Sequence, residues 1–138
     1  MRTPARLAVL AVAATASTVL AADPPKWAPG PLAAPRKLLQ RGNYEEAREA
    51  FAALAKKDAT LRPAAAVGVS WSFRDAGDYA AAEAALTDAL KADTAHPDLL
   101  AARADLRYSL GRWDEAEADA DAPLAKSHNH LLARWTKG

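Results

Sequence analysis

A short motif returns along this chain at an almost constant interval. Gly42-Asn43-Tyr44-Glu45-Glu46-Ala47 is echoed by Gly77-Asp78-Tyr79-Ala80-Ala81-Ala82 and again by Gly111-Arg112-Trp113-Asp114-Glu115-Ala116, 35 and then 34 residues apart. In each copy an aromatic follows the Gly by two positions and an Ala follows it by five. Phe51, Leu86 and Ala120 stand nine positions on, and Leu54, Ala89 and Pro123 twelve. A fixed period of this length marks an architecture of stacked units, none of which can bury its apolar face alone. The residue types say what the unit is. Gly ends a helix in the left-handed turn that a side chain would penalise, and Asn43 or Asp78 can cap the first amides of the next helix. The aromatic is expected to seal the space between the two helices, and the Ala to let their backbones approach closely.

Composition agrees with helices. Of the 138 residues 38 are Ala, against 6 Gly and 2 Phe, a bias toward helix over strand. With 51% hydrophobic and 25% charged residues the chain is one soluble globular domain rather than a disordered tail. The absence of Cys excludes disulfides, thiolate zinc sites and a cysteine nucleophile. A net charge of +1 supplies no field to gather nucleic acid.

The first 21 residues read as a secretory signal: Arg2 and Arg6 precede an uncharged apolar run from Leu7 to Leu20, and Val19-Leu20-Ala21 offers small residues for cleavage after Ala21. The run is shorter than the ~20 residues a membrane span needs. The expectation is an extracytoplasmic protein, periplasmic or secreted, with no stable membrane span once the signal is gone. Without Arg2 and Arg6 the remaining chain has 16 basic and 17 acidic residues, a net charge of −1. Residues 22–34 form a Pro-rich leader, with Pro24, Pro25, Pro29 and Pro31 and then Pro35 placed for the first turn of a helix. A repeat domain is expected over 35–138.

The 34-residue helix-turn-helix unit with Gly-x-Tyr-x-x-Ala at its centre resembles the tetratricopeptide repeat. The resemblance implies an all-α solenoid of about three repeats wound as a right-handed superhelix, with units at about 28–61, 62–96 and 97–130. Leu131-Leu132-Ala133-Arg134-Trp135 resembles the start of a fourth unit over 131–138, or else a short cap. Three departures from the family pattern stand out. Pro31 and Pro35 should leave the first helix about two turns long. Arg107 replaces a usually apolar residue, and Pro123 should kink or shorten the last helix.

Residues that could carry chemistry are few. His128-Asn129-His130 has a spacing some metal sites use, but in a helix connection and without a third ligand. His96 reads as a solvated loop residue. Asp114, Glu115, Glu117, Asp119 and Asp121 lack the turn Gly and terminal Glu of a calcium loop, and read as a solvated helix face. Neither Ser70 nor Ser109 falls in a nucleophile motif. No cofactor, metal or catalytic residue is assigned, and the chain is not expected to be an enzyme.

What remains is a surface function. The resemblance implies a groove lined by the first helix of each unit: Val67, Trp71, Arg74 and Asp75 in the second; Asp98, Ala101, Asp105, Tyr108 and Ser109 in the third; Leu32, Arg36 and Leu39 in the first. Arg36, Val67, Trp71, Arg74, Asp105 and Tyr108 are the candidate peptide-binding residues, because aromatic and Arg anchors dominate recognition energetics. The carboxylate clamp by which some members of the family hold acidic chaperone tails needs Lys, Asn, Asn, Lys and Arg. Here those positions carry Leu32, Arg36, Gly68, Asp98 and Ala102, so the clamp is absent but for one basic residue. The expectation is an exported, non-catalytic scaffold that binds a protein or peptide. Two alternatives stand beside it: an accessory N-terminal region of a longer exported enzyme whose catalytic domain lies beyond residue 138, and a structural module self-associating through its C-terminal edge.

Overall fold

The three repeated glycines all adopt positive φ, at 81°, 86° and 74° for Gly42, Gly77 and Gly111. Each turn is closed in the same way. The amides of Asn43, Asp78 and Arg112 donate to the carbonyls of Leu38, Phe73 and Arg107, five residues back, and the glycine amides donate to Leu39, Arg74 and Tyr108. This is the helix stop that a left-handed residue permits. In the computed structural model, which describes residues 30–126, three helical hairpins result.

They comprise α1 (Ala33–Gln40) with α2 (Tyr44–Lys57), α3 (Arg62–Asp75) with α4 (Tyr79–Ala92), and α5 (Pro97–Ser109) with α6 (Trp113–Lys126). A 3-10 turn, Ala59–Leu61, joins the first hairpin to the second. Among the described residues there is no strand. Pro63 and Pro97 lie at the starts of α3 and α5, where a missing N–H costs nothing. Pro35 sits in the first turn of α1, which has only eight residues.

The repeated Ala does what its size suggests: Ala47, Ala82 and Ala116 are 0%, 0% and 1% exposed. Phe51, Leu86 and Ala120 continue the same inward stripe. Ala82, Leu86 and Leu90 of α4 meet Val67 of α3 and Leu99, Leu100, Ala102 and Leu106 of α5 in one apolar cluster. Phe51 and Ala47 of α2 pack with Ala65 of α3, and Leu32, Leu38 and Leu39 close over them. Arg48 stacks on Phe73, its guanidinium carbon 4.4 Å from the ring centre, which ties α2 to α3.

Three local expectations are corrected. Tyr44 is half-buried, but in the second and third copies the aromatic two residues after the Gly does not seal the hairpin, since Tyr79 is 45% and Trp113 67% exposed. It is the first residue of its helix, beyond the end of the packed stripe, and the Ala has already drawn the helices together. Asp78 caps α4 by accepting the Ala81 amide at 3.0 Å, but Asn43 makes no side-chain cap bond. Pro123 does not shorten α6, which runs 14 residues to Lys126 like α2 and α4. A proline within a helix removes a single backbone bond, and the described residues after Pro123 keep helical form.

Candidate functional site

The first helices of the three hairpins share a face, with α3 touching both α1 and α5. Between them lies a pocket of about 180 Å³ lined by Arg36 of α1, Phe51 of α2, Ala64, Val67, Gly68 and Trp71 of α3, and Asp98 of α5. Its walls follow from helical periodicity. Ala64, Val67, Gly68 and Trp71 fall at i, i+3, i+4 and i+7 on one side of α3. Its floor follows from a glycine. The Phe51 ring rests so close to Gly68 that a Cβ there would overlap it. Arg36 and Asp98 are exposed and put opposite charges on the lining.

Three of the sequence-derived candidates, Arg36, Val67 and Trp71, thus line one pocket together with Asp98. Arg74 and Asp105 lie further along α3 and α5 and pair with each other at 3.4 Å. Arg74 also holds Asp75 at 3.1 Å, and Ser109 donates to the Asp105 carbonyl. Tyr108 is 49% exposed near the end of α5. Ala101 is fully buried in the α5–α6 core, and Leu32 and Leu39 pack inward, so these three are structural and not groove residues. Phe51 and Ala64 do not appear among the expected groove residues, and Gly68 appears there only as a position where the clamp is absent. A glycine inside a helix costs about 1 kcal/mol against Ala, and that local cost was the signal of a close approach. His128, His130, Leu131, Leu132 and Trp135 lie outside the described residues.

A second polar cluster corrects the solvated-face reading at one residue of the acidic run: Asp114, Glu115, Glu117 and Asp121 are exposed, but Asp119 is not. Asp119 is 6% exposed and takes hydrogen bonds from Arg103 and Arg107. Arg107 also donates to Glu83 on α4. Arg112 bonds both Glu83 and Glu115, and Arg103 reaches Thr87 of α4. Asp119 lies between Ala116 and Ala120 on the inward side of α6, and α5 supplies its cations at Arg103 and Arg107, one turn apart. Burial opposes ionisation of Glu83, but hydrogen bonds from Arg112 and Arg107 outweigh it and hold the carboxyl below its usual range. The Arg112 bond lowers Glu115 likewise, and Asp119 raises the Arg103 guanidinium. These groups satisfy one another, which makes the cluster a clasp among α4, α5 and α6.

Among the described residues no three His, Asp or Glu side chains gather as metal ligands, and no helix is long and apolar enough to cross a membrane. The pocket combines an aromatic wall, an apolar floor and one charge of each sign. That combination suits the capture of a side chain.

Residues 73–133 match the family model of the tetratricopeptide repeat. The first TPR of Spaghetti (RPAP3), solved bound to the HSP90 peptide SRMEEVD, superposes with a TM-score of 0.63 at 19% identity, covering 75% of this chain and 87% of that one. The second TPR domain of human RPAP3, in complex with the HSP70 peptide SGPTIEEVD, gives a TM-score of 0.59 at 21% identity over 75% of this chain and 85% of that one. No curated protein sequence matches the chain.

Proposed function

We propose that this chain, an all-α array of tetratricopeptide repeats, is a non-catalytic protein- or peptide-binding scaffold that works outside the cytoplasm. The observation that carries the reading is the pocket between α1, α3 and α5, where Trp71, Val67 and Phe51 offer apolar surface beside Arg36 and Asp98. Two structures of the same fold hold peptides. The ligand here differs from those acidic tails. Asp98 repels a carboxylate-rich segment, and Arg36 alone remains of the basic clamp, so the fitting partner is a peptide that presents one apolar side chain in a stretch of mixed charge. Arg74, Asp105 and Tyr108 extend the surface beyond the pocket.

The test selects peptides from a random display library on the folded protein and measures their affinity by titration. Trp71→Ala should weaken binding at least tenfold, and Arg74→Ala less, with helicity unchanged. Equal affinity for wild type and Trp71→Ala would remove the pocket from the function. Export is tested separately by the intact mass of the protein from its source, expected to lack residues 1–21.

A further inference from the structure

The pocket between α1, α3 and α5 holds about 180 Å³. An apolar cavity of about 150 Å³ takes a benzene molecule, so this space suits one phenyl ring. Its surfaces favour an aromatic guest. Trp71 is half-buried and packs against the apolar cluster of α3, α4 and α5, which holds it as a fixed wall. The Phe51 ring reaches the floor because Gly68 has no side chain to keep it away. Beside two such rings an aromatic side chain gains offset or edge-to-face contacts that an aliphatic one lacks.

The two charges of the lining are separated by the fold. Arg36 belongs to α1 and Asp98 to the first turn of α5, and α3 touches both of these helices while they do not touch each other. Arg36 and Asp98 therefore flank Trp71 from opposite sides. Further along the groove Arg74 and Asp105 hold each other at 3.4 Å, a neutral pair, so the sign of a ligand's charge is read at Arg36 and Asp98. In an extended chain residues i−2, i and i+2 face the same way and together span about 13 Å. Neighbouring helix axes stand about 8–10 Å apart. A central residue over α3 thus sends its two flanking partners toward α1 and α5.

We propose that the ligand of this pocket is an extended peptide segment with Phe at its centre, an acidic residue two positions to one side and a basic residue two positions to the other. The Phe ring enters beside Trp71 and Phe51, the acid pairs with Arg36 and the base with Asp98. This deepens the peptide-binding reading and rests on it.

The test titrates the full chain, at low salt, with three labelled peptides blocked at both ends: Asp-Ser-Phe-Ser-Lys, Asp-Ser-Phe-Ser-Asp and Lys-Ser-Phe-Ser-Lys. The mixed peptide is made in both orders and the tighter one is scored, since either chain direction satisfies the proposal. An exposed ion pair is worth a few-fold in affinity, so the mixed peptide should bind about threefold or more tightly than either of the others. Asp98→Asn should bring the acidic peptide level with the mixed one, and Arg36→Gln the basic peptide. Both positions are exposed, and helicity should be unchanged. Leu in place of the central Phe should weaken binding about threefold. Equal affinity for the three peptides, a preference that survives both substitutions, or Leu binding as well as Phe would overturn the proposal. Failure of all three peptides to bind would overturn it too. Library-selected peptides that still depend on Trp71 would then leave the pocket as the site, whereas peptides indifferent to Trp71→Ala would remove the pocket as well.

Discussion

The guanidinium of Arg103 grips the carboxylate of Asp119 at both oxygens: Nε donates to Oδ2 and Nη2 to Oδ1, each at 2.8 Å. The bond joins α5 to α6 within the last hairpin. Arg107, one turn along, adds a third donor at 2.8 Å and carries the connection to Glu83 on α4. A polar clasp thus replaces the apolar contact a repeat would ordinarily make at position 107, and it spans the junction between the second and third hairpins. The Arg103 and Arg107 side chains are largely buried with Asp119, so each charge depends on the others for solvation.

Asp119→Ala should therefore cost about 3 kcal/mol, because it strands two cations rather than deleting one contact. At the 4–8 °C per kcal/mol expected for a domain of this size, the thermal midpoint would drop by roughly 10 °C or more. Replacing Arg103 and Asp119 together by Met and Leu should cost clearly less than the sum of the single changes. Additive losses in urea unfolding would mean that the pair is not coupled.

Acid should loosen the same clasp. Glu83 and Glu115 have lowered folded-state pKa values. Each therefore contributes stability that is fully present above the unfolded value of about 4.5 and is lost as pH falls through the lower folded value. Urea midpoints should be level near neutrality and fall between pH 4.5 and the more acid folded values. Glu83→Gln should start lower and fall less steeply. Parallel curves for the two proteins would contradict the role given to Glu83.

Much of this is legible in the sequence. The Ala at the fifth position of each motif and the turn glycines are local devices, fixed by size and by φ, so period and architecture could be read directly. Arg36, Val67 and Trp71 share a pocket because their placement needs only helical periodicity and the repeat register. The failures have a common cause. Asp119 reads as solvated because its cations lie on another helix, and Phe51 is absent from the expected groove because the glycine it rests on belongs to the next hairpin. The exposed Tyr79 and Trp113 fail differently: they sit at a helix end, where periodicity predicts a face but not what covers it.

The caps give a small, clean contrast. Asp78 and Asn43 occupy equivalent positions, yet only Asp78 accepts a first-turn amide. Asp78→Ala should cost about 1 kcal/mol, whereas Asn43→Ala should change stability by no more than a few tenths. Comparable losses in thermal unfolding would show that Asn43 caps α2 in solution.

Gly68 links stability to the pocket. A methyl group there would overlap the Phe51 ring, and overpacking of this kind costs about 1–3 kcal/mol. Ala is a better helix former than Gly by about 1 kcal/mol, which offsets part of the penalty but not its upper range. Gly68→Ala should therefore destabilise the protein, and a second change, Phe51→Leu, should restore part of the loss by making room. The pocket reports the same event in another way. Phe51 and Gly68 both line it, so a ring displaced from Gly68 must alter its floor. Peptides selected on the wild-type protein should bind Gly68→Ala more weakly under conditions where it is fully folded. Gly68→Ala with undiminished stability and affinity would mean that the ring and the glycine are not in close contact in solution.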